Sequence, residues 1–79
     1  MTERIPFEGS LYLPEAVEAA AAAYAEHAHI EVTPTAEGVV AVLTPVAGYE
    51  LQEVAPAFCN HVLHETIARR RQTVMDEVA

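Results

Sequence analysis

The sequence predicts an α+β fold with the element order βαββα, in which two helices cover one face of a three-stranded mixed sheet. Three observations support this: apolar residues alternate near the N-terminus, two segments have helical spacing, and a β-rich pair of runs lies between them. The first two strands should run parallel through a right-handed crossover, with the third returning between them. This is half of a ferredoxin-like arrangement. At 79 residues, the chain (1–79) is expected to form one small domain.

The first strand is predicted from apolar residues at odd positions. These residues are Ile5, Phe7, Leu11 and Leu13. Their alternation with polar residues is typical of a half-buried strand. Pro6 and Gly9 interrupt the pattern, so we expect the best-formed part of the strand at residues 9–13. Residues 1–8 and 73–79 are expected to be loosely ordered.

The first helix is predicted over Pro14–His29. The fixed φ of Pro14 suits a first helical turn, and Glu15 beside it complements the positive end of the helix dipole. The apolar residues that share one helical face are Val17, Ala20, Ala21, Tyr24 and Ala28. Because alanine buries little area, this face must lie close to whatever it packs on.

Two strands follow and form a predicted hairpin. Ile30–Thr33 alternates apolar and polar residues, whereas Val39–Leu43 is continuous and rich in β-branched residues. The second run is therefore expected to be buried, completely or nearly so, on both faces of the sheet. Pro34–Gly38 supplies a loop of about five residues, a common hairpin length, in which Gly38 suits a positive φ.

The final helix is predicted to begin near Leu51 and to end at Arg69–Arg71. Its apolar residues form two adjacent stripes. The first stripe contains Leu51, Val54, Phe58 and Val62, and the second contains Cys59, Leu63 and Ile67. Such a wide face can serve the core and also contact a partner. The predicted three-stranded sheet also has an uncovered face and two free edges. Each free edge can pair with a further strand.

The composition limits the classes of partner. The net charge is −8, lysine is absent, and residues 1–68 carry ten glutamates against one arginine. This charge disfavours nucleic acid and acidic membrane surfaces. The single cysteine cannot form an internal disulfide. A domain of this size is therefore expected to gain stability by association, for example as a homodimer. A lone cysteine and the absence of a secretory signal pattern predict a cytoplasmic protein.

Metal-type and nucleophilic side chains lie on the two predicted helices. They are Cys59, His61, His64 and Glu65 on the final helix, and His27 and His29 at the end of the first. Cys59 and His61 differ by about 200° around a helix and cannot share an ion, whereas His61 and His64 can point together. Two ligands do not make a zinc site, so no metal site is expected. Burial on the apolar stripe should raise the Cys59 pKa. We expect no catalytic residue, no cofactor and no enzymatic activity.

The remaining polar and aromatic side chains have structural interpretations. Arg69–Arg71 would face the negative end of the helix dipole, and they could also anchor an acidic segment of a partner. Tyr12, Tyr24 and Tyr49 are expected in the core or at its rim. Asn60 lies beside the core stripe, where it is expected to hydrogen-bond the turn around Gly48.

Several segments resemble the HxsD-type small proteins, which accompany His-Xaa-Ser peptide-modification systems. These segments are Leu11–Val17, the alanine-rich helix with Tyr24, the Val-rich strand, Thr44-Pro45 and Gly48–Leu51. The closest is Phe58–His64, which is similar to that family's Phe-x-Asn-x-Leu-Leu-Asp helix, although His64 stands where an acidic residue is expected. The resemblance spans most of residues 10–70, and none of its motifs is catalytic.

The resemblance implies a non-catalytic accessory protein that binds a radical SAM maturase, a precursor peptide, or both. Binding would use edge-strand pairing and the wide face of the final helix. The residues expected to contact the partner are Phe58, Val62, Leu63, Ile67, Arg69, Arg70 and Arg71. Two alternatives remain: a small metal-carrying protein that uses the helix histidines, and a self-associating structural subunit.

Overall fold

A computed structural model describes residues 1–78 of the chain, with side chains described for residues 1–71. The elements are β1 (Glu3–Glu8), α1 (Pro14–Ala23), β2 (Ala28–Pro34), β3 (Gly38–Pro45) and α2 (Leu51–Val78). This order confirms the predicted βαββα fold. Within the described residues, neither helix combines the length and apolar character needed to cross a membrane.

The three strands form one sheet in the order β1-β3-β2. Phe7 lies opposite Val39, and Ile30 lies opposite Leu43. β1 and β2 run in the same direction on either side of β3, as the crossover predicts. Both neighbouring pairs are antiparallel, so the sheet is antiparallel in its hydrogen bonding although it was expected to be mixed.

The core lies between the sheet and the two helices. Its centre is formed by Phe58, Leu43 and Val17, none of which is exposed. Fully buried Ala16 and Ala20 on α1 fit the predicted close approach of that helix. On β3, Val39, Ala41 and Leu43 belong to the helix-facing core, and Val40 is buried on the opposite face by its neighbours. Val42, on the same face as Val40, is half-buried, so β3 is buried on its helix-facing side and only in part on the other.

The position of β1 corrects the predicted first strand. The strand occupies Glu3–Glu8, and residues 9–13 form a turn and a bend instead. β3 begins at Gly38, opposite Glu8, so a strand has no ladder partner beyond that point. The backbone N–H groups of Leu11 and Tyr12 donate to the Glu8 carbonyl and close the turn. The segment 1–8, which was expected to be loosely ordered, therefore contains a paired strand, whereas 73–79 lies outside the residues with described side chains.

The first helix is shorter than predicted. It ends at Ala23, and the Tyr24 N–H caps it by donating to the Ala20 carbonyl. Ala28 then pairs with Pro45 and begins β2. The alanine-rich pattern alone favours a longer helix, but residues from Ala28 onward gain a full ladder of hydrogen bonds with β3. His29 therefore lies on a strand.

Gly38 has a role that differs from the prediction. The hairpin loop comprises residues 35–37, so Gly38 belongs to β3, and its φ is not positive. A Cβ at Gly38 would collide with the Phe7 carbonyl oxygen and would lie 2.6 Å from the Gly9 nitrogen. Glycine is thus required there because β1 approaches closely. The described residue with positive φ is Gly48, at +96°, in the connection to α2.

Helix α2 begins at Leu51 as predicted but continues past the arginines to Val78. The sequence after Arg71 contains no glycine or proline that would stop a helix. Arg69–Arg71 therefore do not occupy the last turn, and the predicted interaction with the negative end of the helix dipole is wrong.

Candidate functional site

The first apolar stripe of α2 forms part of the core. Phe58 and Val62 have no exposed surface. The Phe58 ring packs edge-to-face against Phe7 and Tyr24, with centroid distances of 5.9 and 6.3 Å. Both residues were expected to contact a partner. The sheet and α1 cover them instead, so they support the helix from beneath and are removed from the candidate contact surface.

The second apolar stripe faces outward. Leu63 is 42% exposed and Ile67 is 45% exposed, while Cys59 is half-buried. The spacing of four residues places these three side chains along one side of the helix. We call Cys59, Leu63 and Ile67 the α2 stripe. It is the predicted contact face that remains at the surface.

The segment that follows β1 runs beside the C-terminal half of this stripe. The Leu13 N–H donates to the Thr66 hydroxyl at 3.3 Å, and an Arg70 guanidinium nitrogen donates to the Ser10 carbonyl oxygen at 3.3 Å. Leu11, between these two contacts, is 58% exposed. The surface next to the α2 stripe therefore carries a further large apolar side chain.

The three arginines have different surroundings. The Arg69 Nε lies 3.2 Å from a carboxylate oxygen of Glu65, whose other oxygen lies 3.8 Å from His61 Nε2. Arg70 reaches Ser10, and Arg71 is exposed. Exposed ion pairs of this kind contribute at most about 1 kcal/mol. Arg70 and Arg71 place cationic groups at the surface, near the end of the α2 stripe.

Thr66 is a residue whose role the sequence analysis missed. It is 2% exposed and is a buried polar side chain among the described residues. Its hydroxyl accepts the Leu13 N–H and joins the start of α1 to α2. Thr66 lies four positions after Val62, on the core side of the helix, and a polar group at such a position needs a hydrogen-bond partner. That spacing could have identified it.

Tyrosine and histidine rings form a second cluster near the opposite end of the helices. The Tyr24 ring lies 5.5 Å from His27 and 5.6 Å from His61, and His27 lies 4.6 Å from Tyr49. Tyr12 and Tyr24 are partly buried against the core, as expected, whereas Tyr49 is 44% exposed. Asn60 is exposed, and the turn near Gly48 is closed by the Tyr49 N–H and the Val46 carbonyl, so the expected role of Asn60 is wrong.

The described residues contain no group of three or more His, Cys, Asp or Glu side chains placed to hold a metal ion. The metal-carrying alternative therefore lacks a ligand set in this part of the chain. Burial raises the pKa of the Cys59 thiol, and the negative charge of Glu3 raises it further. Both effects disfavour the nucleophilic thiolate at neutral pH.

An open hollow of about 650 Å³ lies where β3 connects to α2. Its lining includes Met1, Glu3, Val46, Tyr49 and Leu51. The titratable side chains in its lining are Glu3, Tyr49 and Glu50.

The two outer strands leave different edges. In an antiparallel ladder, alternate residues point both backbone polar groups at the neighbouring strand, and the others point them away. Thr35 and Gly38 exchange two hydrogen bonds, so the odd-numbered residues of β2 face β3. Ile30 and Val32 therefore present their N–H and C=O groups at the outer edge of the sheet.

The outer edge of β1 is interrupted. The Gly9 N–H donates to the Glu37 carbonyl at 2.8 Å, which places the odd-numbered residues of β1 toward β3. Arg4, Pro6 and Glu8 then face outward, and Pro6 has no N–H to donate. The Glu8 carbonyl already accepts the N–H groups that close the turn. β1 is thus poorly suited to pairing with a further strand, whereas β2 is well suited.

Comparisons of the chain with models of known protein families, with curated proteins and with solved structures give no match. The resemblance to HxsD-type proteins is thus a hypothesis that depends on the quoted motifs.

Proposed function

We propose that this chain is a non-catalytic accessory protein of the cytoplasm that binds a maturation enzyme, a precursor peptide, or both, in a peptide-modification system. The observation that carries the proposal is the α2 stripe. Leu63 and Ile67 remain more than two-fifths exposed on a helix whose adjacent stripe is buried at Val54, Phe58 and Val62. Large apolar side chains on an ordered surface, beside a rigid core, are typical of protein interaction sites.

The surroundings of the stripe indicate the chemistry of the partner. Arg70 and Arg71 are exposed one turn beyond Ile67, and Leu11 adds apolar surface on the neighbouring segment. A partner segment that combines apolar side chains with carboxylates complements this region. The rest of the chain is strongly acidic, so long-range repulsion disfavours acidic partners that do not reach the arginines.

The resemblance to HxsD-type proteins names the class of partner, a radical SAM maturase or its precursor peptide. The exposed stripe and the arginines provide a place where such a partner binds. The proposed role is positioning. Two observations support it: burial raises the pKa of the Cys59 thiol, and the described side chains include no group of three or more placed to hold a metal ion.

A co-expression pull-down with the products of the neighbouring genes tests the proposal. We expect Leu63→Glu to weaken capture at least about tenfold, because it buries a charge in the contact. Ala68→Glu is the matched control, because it adds the same charge at an exposed position on another side of α2. Recovery of the wild-type chain alone, as an inert monomer, would contradict the proposal, as would equal capture of both variants.

A further inference from the structure

We propose that the α2 stripe of the free protein is covered by the α2 stripe of a second copy of this chain, with the two helices antiparallel and the two Leu63 side chains facing each other on a twofold axis. The inference rests on the proposed function in one respect, because this pair must open before another protein can bind the same stripe. The apolar side chains, the length of α2 and the charges on both flanks of the stripe support it.

The stripe is symmetric about Leu63. Cys59 and Ile67 lie four positions before and after it, so a twofold axis at Leu63 places Cys59 of one copy against Ile67 of the other. Leu63 and Ile67, which are 42% and 45% exposed, are then removed from water. Helix α2 has twelve residues before Leu63 and fifteen after it. An antiparallel pair centred there therefore overlaps for about 36 Å.

One flank of the stripe carries opposite charges at its two ends. Glu53 lies in the N-terminal half of α2 and Arg71 in the C-terminal half, 18 positions later. At about 100° per residue this is five full turns, so both lie on the same side of the helix. Both are exposed, and within residues 1–71 neither forms an ion pair. In the antiparallel pair, each Arg71 lies about 3 Å along the helix from Glu53 of the other copy.

The other flank has the same order of charges. Glu3 lies close enough to Cys59 for its carboxylate to raise the pKa of that thiol, so a negative charge borders the N-terminal half of the stripe. Arg70 borders the C-terminal half, where it donates to the carbonyl of Ser10. Reversing the second copy brings each Arg70 toward Glu3 of the other copy. A parallel pair would set like charges side by side, so charge selects the antiparallel orientation.

The contact is isologous and therefore closes at two copies. It is also small, since exposed ion pairs each contribute at most about 1 kcal/mol and the chain carries a net charge of −8. The dimer should form at high chain concentration and dissociate on dilution. Because it covers the surface proposed for the partner, a second copy and the partner compete for the α2 stripe.

Disulfide trapping tests the orientation. In a Cys59→Ser background, Leu63→Cys chains and Ile67→Cys chains are oxidised separately in a glutathione redox buffer. The two positions 63 face each other on the axis, whereas the two positions 67 are about 12 Å apart along the antiparallel helices, beyond the disulfide range. We expect a linked dimer from Leu63→Cys only. Equal linking of both variants would indicate a parallel pair and overturn the proposal, as would no linking of Leu63→Cys.

Sedimentation equilibrium over a concentration series tests the dimer and its charge pairs. Wild type is expected to dimerise, and Arg71→Glu should raise the dissociation constant about tenfold because it sets two pairs of glutamates together. The double variant R71E/E53R should restore association by reversing both charges. Ala68→Glu adds a charge on another side of α2 and should leave association close to that of wild type. A monomeric wild type, or a double variant as weak as Arg71→Glu, would refute the inference.

Capture of the neighbouring genes' products separates this inference from the proposed function. The Leu63→Cys chain, in the Cys59→Ser background, is compared in its reduced and its disulfide-linked form. We expect the reduced form to capture a partner and the linked form to lose capture at least about tenfold, because the stripe is covered. Equal capture by both forms would overturn the competition. A stable dimer with no capture by either form would contradict the proposed function alone.

Discussion

The backbone N–H of Leu13 donates to the hydroxyl of Thr66 across 53 positions of the chain, at 3.3 Å. This bond joins the residue before α1 to the buried side of α2. No side chain caps the N-terminus of α1. The Thr66 hydroxyl of α2 supplies part of the capping function, because it accepts the N–H of Leu13. The two helices form one layer in part because a polar group in the core holds them in register.

Replacing Thr66 with valine is expected to destabilise the fold by about 1–2 kcal/mol. The shape of the side chain is kept, but the Leu13 N–H loses its acceptor in a part-buried site. Urea denaturation gives the change in free energy of unfolding. Thr33→Val makes the same chemical change at an exposed position and should stay within about 0.5 kcal/mol of wild type. A Thr66→Val variant as stable as wild type would show that the bond contributes nothing.

Phe58 and Leu63 should respond very differently to truncation. Phe58→Ala removes a fully buried ring that packs on Phe7 and Tyr24, so a loss of about 3–5 kcal/mol is expected. Leu63→Ala should cost less than about 1 kcal/mol, because much of the side chain is already in water. Phe58→Leu provides a milder variant where the alanine variant fails to fold. Similar losses at both positions, measured by urea denaturation, would contradict the division of α2 into a buried and an exposed stripe.

Gly38→Ala is expected to destabilise the sheet by about 2 kcal/mol or more, because its Cβ would collide with the backbone of β1. Gly9→Ala is the matched control, since its Cβ would lie 3.4 Å from the nearest atom, the Glu37 carbonyl oxygen. Thermal unfolding of both variants makes the comparison. A larger loss at Gly9 than at Gly38 would contradict the close approach of β1 to the start of β3.

Cys59 should react slowly with thiol reagents near neutral pH. Burial raises its pKa above the ordinary value of 9.0, and the Glu3 carboxylate raises it further. Because the folded pKa is the higher one, the stabilising effect is fully present below the pKa of the unfolded thiol. It is lost as the pH rises through the folded pKa.

The rate of reaction with a disulfide reagent as a function of pH measures this pKa. Glu3→Gln removes the negative charge and should move the profile to lower pH, while Cys59→Ser should remove the alkaline loss of stability that belongs to the thiol. A Glu3→Gln profile shifted to higher pH would contradict the role of that carboxylate.

Several elements were predictable because their signals are local. The β-branched run at Val39–Leu43 identified the central strand, and the outer positions of β1 and β2 followed from chain connectivity. Pro14 and Leu51 lie where the two helices begin. The two-stripe pattern of α2 was also visible, since helical spacing alone places Leu63 and Ile67 beside the Phe58–Val62 row.

Other features depended on partners distant in the chain. Alternation alone could not distinguish residues 3–8 from residues 9–13, and the β3 ladder, which starts opposite Glu8, decided between them. The alanine-rich pattern continues through Ala28, but pairing with Pro45 assigns that residue to β2. No local signal separates a buried stripe from an exposed one when both have the same period and similar hydrophobicity.

The sequence by itself determined the number, type and order of the elements, because backbone propensity and hydrophobic period act over a few neighbouring residues. Tertiary structure decided where β1 lies, where α1 ends and which side of α2 meets solvent. Those outcomes depend on which distant surfaces come together, and hydrogen-bond ladders and burial reward a residue only when its partner is in place.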